Sequence, residues 1–206
     1  MVSKIVGYEQ SAGGMSEVLL VADMMGNGDF DFEGASLEVG ALLGGNLTVR
    51  KIFRSQFTDD TQVRTELLGG LNGGELLVNY MGHGSQESWR GDIFTSGDAG
   101  ALTNGVRLPF VVSMTCLNGF FQDVYSDSLA EALLKARQGG AVAVWTSSGL
   151  TEPNKQALMN KELIRLLFNG ESLTLGEAVK KAKAVVSDQD VRRTWILFGD
   201  PTTRLK

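Results

Sequence analysis

The sequence predicts an α/β domain: about six strands in a mostly parallel sheet, with helices on both faces. Three observations predict it. The strand-like segments are unbroken apolar runs, as expected for strands covered on both sides. Segments of helical periodicity alternate with them along the chain, as βαβ units require. The joints are glycine-rich and proline-poor, with 26 Gly against 3 Pro in 206 residues, which suits tight turns rather than a disordered linker.

Each element has its own local reason. "VLLVA" (Val18–Ala22) is an apolar run and the first strand. "ASLEVGALL" (Ala35–Leu43) has helical spacing and stops at Gly44-Gly45, a plausible C-cap. "LTVRKIF" (Leu47–Phe53) is the second strand. "TQVRTELLGGL" (Thr61–Leu71) is a helix with Thr58 or Asp59 available as N-cap. "ELLVNYM" (Glu75–Met81) is the third strand and runs straight into Gly82-His83-Gly84. "PFVVSMT" (Pro109–Thr115) is the fourth and runs into Cys116. "DSLAEALLKAR" (Asp127–Arg137) is an amphipathic helix with Asp127 as its expected N-cap. "GAVAVWT" (Gly140–Thr146) is the fifth strand. The long helix Asn154–Gly170 carries an apolar stripe at Leu158, Leu163, Ile164, Leu167 and Phe168. Leu173–Val186 is another helix, and "TWILFG" (Thr194–Gly199) the last strand. Residues 1–16 read as an N-terminal extension or linker and 17–206 as the folded domain.

Composition excludes several function classes. Net charge is −5, and the densest basic stretch, "VKKAKAV" (Val179–Val185), has the spacing of a solvated helix face. Nucleic-acid binding is therefore not expected, because neutralising phosphates takes a clustered basic footprint. No apolar stretch approaches the roughly 20 residues that cross a bilayer. Met1–Gly14 lacks an apolar h-region, so no signal peptide is expected in this chain. A single cysteine excludes an internal disulfide. No His/Cys cluster is present for zinc. The glycine-rich stretches lack the spacing of a dinucleotide fingerprint or the Lys-Ser/Thr tail of a phosphate loop. Asn27, Asp29, Asp31 and Glu38 have calcium-loop spacing, but Phe32 stands where that loop needs glycine.

The chain's one histidine and one cysteine stand at matched places. In a parallel sheet, ligands bind at the carboxyl ends of the strands. His83 follows the third strand by two residues, Cys116 ends the fourth, and Asp23 ends the first. If these strands are neighbours, an imidazole, a thiol and a carboxylate emerge at one edge. A thiolate is a nucleophile, and imidazole titrates near neutrality and can move its proton. Gly82 and Gly84 let a substrate approach the backbone, and the N–H groups of Gly84 and Cys116 are candidates for an oxyanion hole. Taken singly, each residue has a plainer reading: a lone cysteine at a strand end is often a small buried hydrophobe, and a histidine beside glycines an ordinary loop residue.

"LLVNYMGHGSQESW" followed by "LTNGVRLPFVVSMTCLNGFF" resembles the catalytic His and Cys segments of the gingipain family of cysteine peptidases. "TWILFGDPTTRL" resembles that family's last core strand, and the likeness runs from about Val18 to Leu205. The resemblance implies a caspase-like fold over 17–206 and peptide-bond hydrolysis through an acyl-enzyme. Cys116 would be the nucleophile, His83 the general acid/base, and Asp23 the nearest match to the family's acidic residue. The segment lacks the caspase Q-A-C-x-G pattern, so caspase-type Asp specificity is not implied.

In that family the residue before the scissile bond is selected by three loops, which here hold Asn27–Glu33, Leu117–Phe121 and Thr146–Thr151. Asp29, Asp31 and Glu33 are candidates to receive a basic side chain; otherwise they are solvated or cap the next helix. Trp89 is a candidate pocket wall or a packing residue, and Ser147 and Ser148 are candidate substrate contacts. No cofactor is expected, and a structural calcium is implied by resemblance alone. The expected partner is a peptide or protein substrate. The chain is expected to belong to a larger multidomain protein, secreted or in the cell envelope by resemblance. Two other outcomes fit the same residues: a sortase-like transpeptidase, and a catalytically silent caspase-like module that binds a partner.

Overall fold

A computed structural model describes all residues, 1–206. Its centre is one six-stranded sheet of order β2-β1-β3-β4-β5-β6. The strands are β1 (Glu17–Ala22), β2 (Thr48–Phe53), β3 (Leu77–Met81), β4 (Phe110–Met114), β5 (Ala143–Ser147) and β6 (Trp195–Phe198). The first five are parallel and β6 is antiparallel to β5. From β1 the chain first crosses to β2 on one side, then returns to β3 on the other. This reversal opens a crevice at the carboxyl ends of β1 and β3, where parallel sheets bind ligands.

Each face of the sheet has its own apolar core. Alternate strand residues such as Leu20, Val112 and Trp145 pack under α2 (Phe32–Gly40), α6 (Pro153–Phe168) and α7 (Leu175–Lys183). Their neighbours Leu19, Val78 and Val111 pack under α3 (Asp60–Gly73), α4 (Ser96–Ala101) and α5 (Leu129–Lys135). The expected unbroken apolar runs follow from this double coverage. Two further helices, α1 (Val2–Gln10) and α8 (Gln189–Thr194), complete the fold. Within the segment expected as an extension, α1 buries Tyr8 in the core, and Lys4 Nζ donates to Leu133 O and Leu134 O at the end of α5.

Two local expectations are corrected. Ser128, not Asp127, caps α5: Ser128 and Glu131 close a capping box, while Asp127 pairs with Lys135. A side chain three residues ahead of a glutamate satisfies two orphan N–H groups at once, so it displaces its neighbour. Leu158 of the expected stripe is half-exposed. The inner face of α6 turns Gln156 and Asn160 inward instead, because each finds a partner. Asn160 exchanges two amide hydrogen bonds with Asn79 of β3, at 2.7 and 2.9 Å, and Gln156 Nε2 donates to Thr151.

Glu75, just before β3, is 3% exposed and its Oε2 has no hydrogen-bond partner. Burial, reinforced by Glu17, raises its carboxyl from 4.5 to about 7 despite Arg50. Between those pH values the folded chain holds the proton and the unfolded chain does not, so stability falls as pH rises through that window. Glu75→Gln is expected to stabilise by about 2 kcal/mol at pH 8, a rise in Tm of roughly 4–8 °C. At pH 4 the gain should vanish; thermal melts giving one Tm change at both pH values would refute the assignment.

Candidate active site

The register of β3 and β4 aligns Met81 with Met114. His83 and Cys116 each lie two residues beyond that pair, so both occupy the same rim of the sheet. Asp23 follows β1 on the other side of β3, and its N–H donates to Met81 O at 2.9 Å.

The histidine loop is held from below. Tyr80, fully buried, donates its hydroxyl to His83 O at 2.6 Å. Gly82 has no room for a side chain: a Cβ there would lie 2.4 Å from Tyr80 Oη and 2.7 Å from Asp23 Cβ. A Cβ on Gly84 would lie 2.7 Å from Thr115 Oγ1. The glycines on both sides of His83 are therefore required by close approach. The imidazole itself is 47% exposed and stands edge-on to Phe32, with ring centroids 5.1 Å apart.

The carboxylate on the imidazole is that of Asp29. Its Oδ2 lies 2.8 Å from His83 Nε2 and 3.7 Å from Arg90. Burial opposes ionisation of Asp29, but His83, the Phe30 N–H and Arg90 together hold its carboxyl below the ordinary value. Asp23, expected beside His83, is instead fully buried between two guanidinium groups, Arg54 at 2.8 Å and Arg90 at 3.4 Å. Arg54 also bonds Asp60 through both Nε and Nη2 at 2.6 Å. The physical reason is proximity: Arg54 directly follows β2, next to β1, and a buried carboxylate is stable only beside a compensating charge.

Cys116 is half-buried. Its Sγ donates to Thr151 O at 3.5 Å and accepts from Thr151 N–H at 3.4 Å; no hydrogen bond joins it to the imidazole. The next residue, Leu117, has φ of 63°, the left-handed conformation that a branched side chain rarely adopts. The N–H groups of Gly84 and Cys116 are engaged by no backbone or side-chain acceptor in the chain.

One residue joins the two loops, and its role was not read from the sequence. Asn118 is buried, and its Nδ2 donates to Ser85 O at 2.6 Å and Ser88 O at 3.3 Å on the histidine loop. Its Oδ1 accepts from Trp89 Nε1 at 2.9 Å and Ser113 Oγ at 2.8 Å. A fully satisfied buried amide of this kind fixes both loops against each other. The only advance sign was a polar residue two positions past the cysteine.

Other expected substrate contacts are engaged within the chain. Trp89 is fully buried and stacks on Tyr80 with centroids 4.1 Å apart, so it packs the core rather than walling a pocket. Ser147 Oγ donates to Gly149 O and Ser148 Oγ to Thr194 O, which keeps both hydroxyls on the backbone. Asp31 caps α2 by accepting the Gly34 N–H at 2.8 Å. Glu33 accepts from Ser55 N–H at 3.0 Å and Ser55 Oγ at 2.8 Å. The calcium-like set is dispersed by these partners, with Glu38 paired to Lys161, and no group of three or more His, Cys, Asp or Glu is gathered anywhere to hold a metal ion. The rim instead exposes apolar side chains from three loops: Met25 after β1, Phe121 and Tyr125 after β4, and Leu150 after β5.

Comparison with known proteins bears on this geometry. Gingipain R2 of Porphyromonas gingivalis is 30% identical over 150 residues, 66% of this chain. Gingipain R1 of the same organism is 30% identical over the same length. The chain spans only 20% and 15% of those two relatives. The crystal structure of the Arg specific cysteine proteinase gingipain R superposes with a TM-score of 0.88 at 23% identity, over 100% of this chain and 52% of that one. The separase of Saccharomyces cerevisiae, solved with securin, gives 0.61 at 15% identity, over 96% of this chain and 13% of its own. The fold is thus the caspase-like α/β fold that the sequence implies. The family model described as peptidase family C25 matches residues 1–206, and the chain belongs to that family of gingipain-type cysteine peptidases.

Proposed function

We propose that this chain is the catalytic domain of a cysteine endopeptidase. The observation that carries the reading is the matched step past the β3–β4 register, which sets His83 and Cys116 on one rim. Cys116 attacks the peptide carbonyl. The Gly84 and Cys116 N–H groups receive the oxyanion, because no other acceptor engages them. His83 takes the thiol proton and passes it to the leaving amine; water then releases the acyl group. With Nε2 on Asp29, Nδ1 is the nitrogen left to move the proton, and Asp29 is the orienting carboxylate. Asp23 acts one step further back, holding Asp29 in place through Arg90.

The proposed substrate is an extended polypeptide with a basic residue before the scissile bond. The Arg specificity named for gingipain R supports the basic preference. Exposed apolar rim residues suit the flanking positions of such a peptide. The natural protein is proposed to be larger and to act outside the cell or at its envelope; no helix is long and apolar enough to cross a membrane.

A fluorogenic peptide library scanned at the position before cleavage tests this reading. Arg and Lys are expected to exceed Gln or norleucine by about 100-fold in kcat/KM, the scale of a lost charge-assisted contact. Equal cleavage after uncharged residues would remove the basic preference but leave the thiol chemistry standing. Labelling of Cys116 by a peptidyl chloromethyl ketone should fail in His83→Ala. An added amine acceptor that captures the acyl group in place of water would make the enzyme a transpeptidase.

A further inference from the structure

On the side of the sheet far from β2, the outer edge of β6 lies open in a cleft of about 640 Å³ between α7 and α8. Antiparallel pairing sets Ser147 opposite Trp195 and Trp145 opposite Leu197, while Ser148 N–H donates to Thr194 O. In that alternation Thr194, Ile196 and Phe198 bond toward β5, and Trp195 and Leu197 turn their peptide groups outward. Both Trp195 groups are taken, the N–H by Val191 O and the carbonyl by Lys183 Nζ at 2.7 Å, so the free part of the edge is Leu197. The N–H and C=O of Leu197 point away from β5, and no turn, loop or side-chain group bonds them. β6 itself reads Trp-Ile-Leu-Phe, with none of the charges, prolines or bulges that commonly shield an edge strand.

The walls of the cleft are basic, although the chain's net charge is −5. Lys180 and Lys183 come from α7, Arg192 and Arg193 from α8, and none of the four has a carboxylate partner. The acids on the flanking segments are committed or face elsewhere: Asp188 to Lys155, Glu177 to the cap of α7, Asp200 to Thr202, and Asp190 to a separate cavity beside Leu150. Burial, with Arg192 nearby, holds Lys183 below its ordinary value. The free Leu197 peptide calls for another backbone, and four cations without a carboxylate call for negative side chains. Nucleic acid or a free anion would answer the charge but leave the Leu197 peptide groups unmatched.

We propose that this cleft docks an extended acidic segment of another polypeptide, added as a strand beside β6 and held by the α7 and α8 cations. The site lies on the outer edge of the sheet, two strands from β4, and does not rest on the catalytic reading. The test is fluorescence anisotropy with a labelled peptide of alternating Glu and Val. Saturable binding is expected, weakened about tenfold or more by the double variant Lys180→Glu/Arg192→Glu, and to a similar degree by N-methylation of alternate peptide amides. A Lys-Val peptide should not bind the wild-type chain, a control that stands even if the double variant fails to fold. The proposal is overturned if the N-methylated peptide binds as well as its parent. It is equally overturned if heparin or single-stranded DNA binds more tightly than the acidic peptide. A concentration-dependent dimer abolished by the double variant would assign the edge to a second copy and overturn it too.

Discussion

Replacing Cys116 by Ala is expected to lower kcat/KM on a basic fluorogenic peptide by about 10⁴-fold or more. The fold should hardly notice. The sulfur is half-buried and its two contacts, both with Thr151, exceed 3.3 Å, so their loss belongs with small stability changes of about 1 kcal/mol or less. Kinetics and a thermal melt on the same preparation check both halves. Activity retained above about 1% of the parent, in a folded variant, would mean that another group attacks the carbonyl.

The two aspartates near the rim are expected to fail in different ways. Asp29→Asn keeps the side chain's shape but loses the charge on His83 Nε2. A loss of about 10²–10⁴ in kcat is expected, with the melting temperature little changed, because the imidazole is then free to adopt the wrong tautomer. Asp23→Asn acts on stability first. It withdraws the charge between Arg54, whose side chain is 9% exposed, and Arg90. Breaking a buried ion pair costs about 3–5 kcal/mol, and the Asp60 bond that remains on Arg54 puts the expected loss near the lower end, about 3 kcal/mol, or roughly 6–12 °C in Tm. Steady-state kinetics and melts of the two variants separate the roles. A stable Asp23→Asn chain with the larger catalytic loss would reverse them.

The sheet and the His–Cys rim were legible in the sequence because both depend on pattern along the chain. Unbroken apolar runs mark strands covered twice, and a histidine and a cysteine at equal steps past two strands need only those strands to be adjacent. Asp29 was not legible as the partner of His83. The loop Met24–Asp31 has no period, and its path turns on Gly28, at φ of 74°, and on Arg90 arriving from another loop. Trp89 and Asn118 were opaque for the same reason: each is placed by partners distant in the chain. The helices α4 and α8, six residues each, are too short to declare a periodicity, and α1 buries Tyr8 alone and so carries no apolar stripe. On α6, the stripe misplaced Leu158 because polar Asn160 and Gln156 hold the inner face through bonds to Asn79 and Thr151, which no hydrophobic pattern encodes.

If the proposed acyl-enzyme forms, Thr151 should register it. Its carbonyl accepts from both the Cys116 thiol and Gln156 Nε2, and its N–H donates to the sulfur. In the proposed acyl-enzyme the thioester has no S–H to offer, so acylation deletes the bond to the Thr151 carbonyl and leaves Gln156 and the weaker N–H contact to the sulfur to hold that segment. The segment 149–152 should then exchange its amide hydrogens faster in the acylated enzyme than in the resting one, making that stretch a reporter of whether the sulfur is loaded.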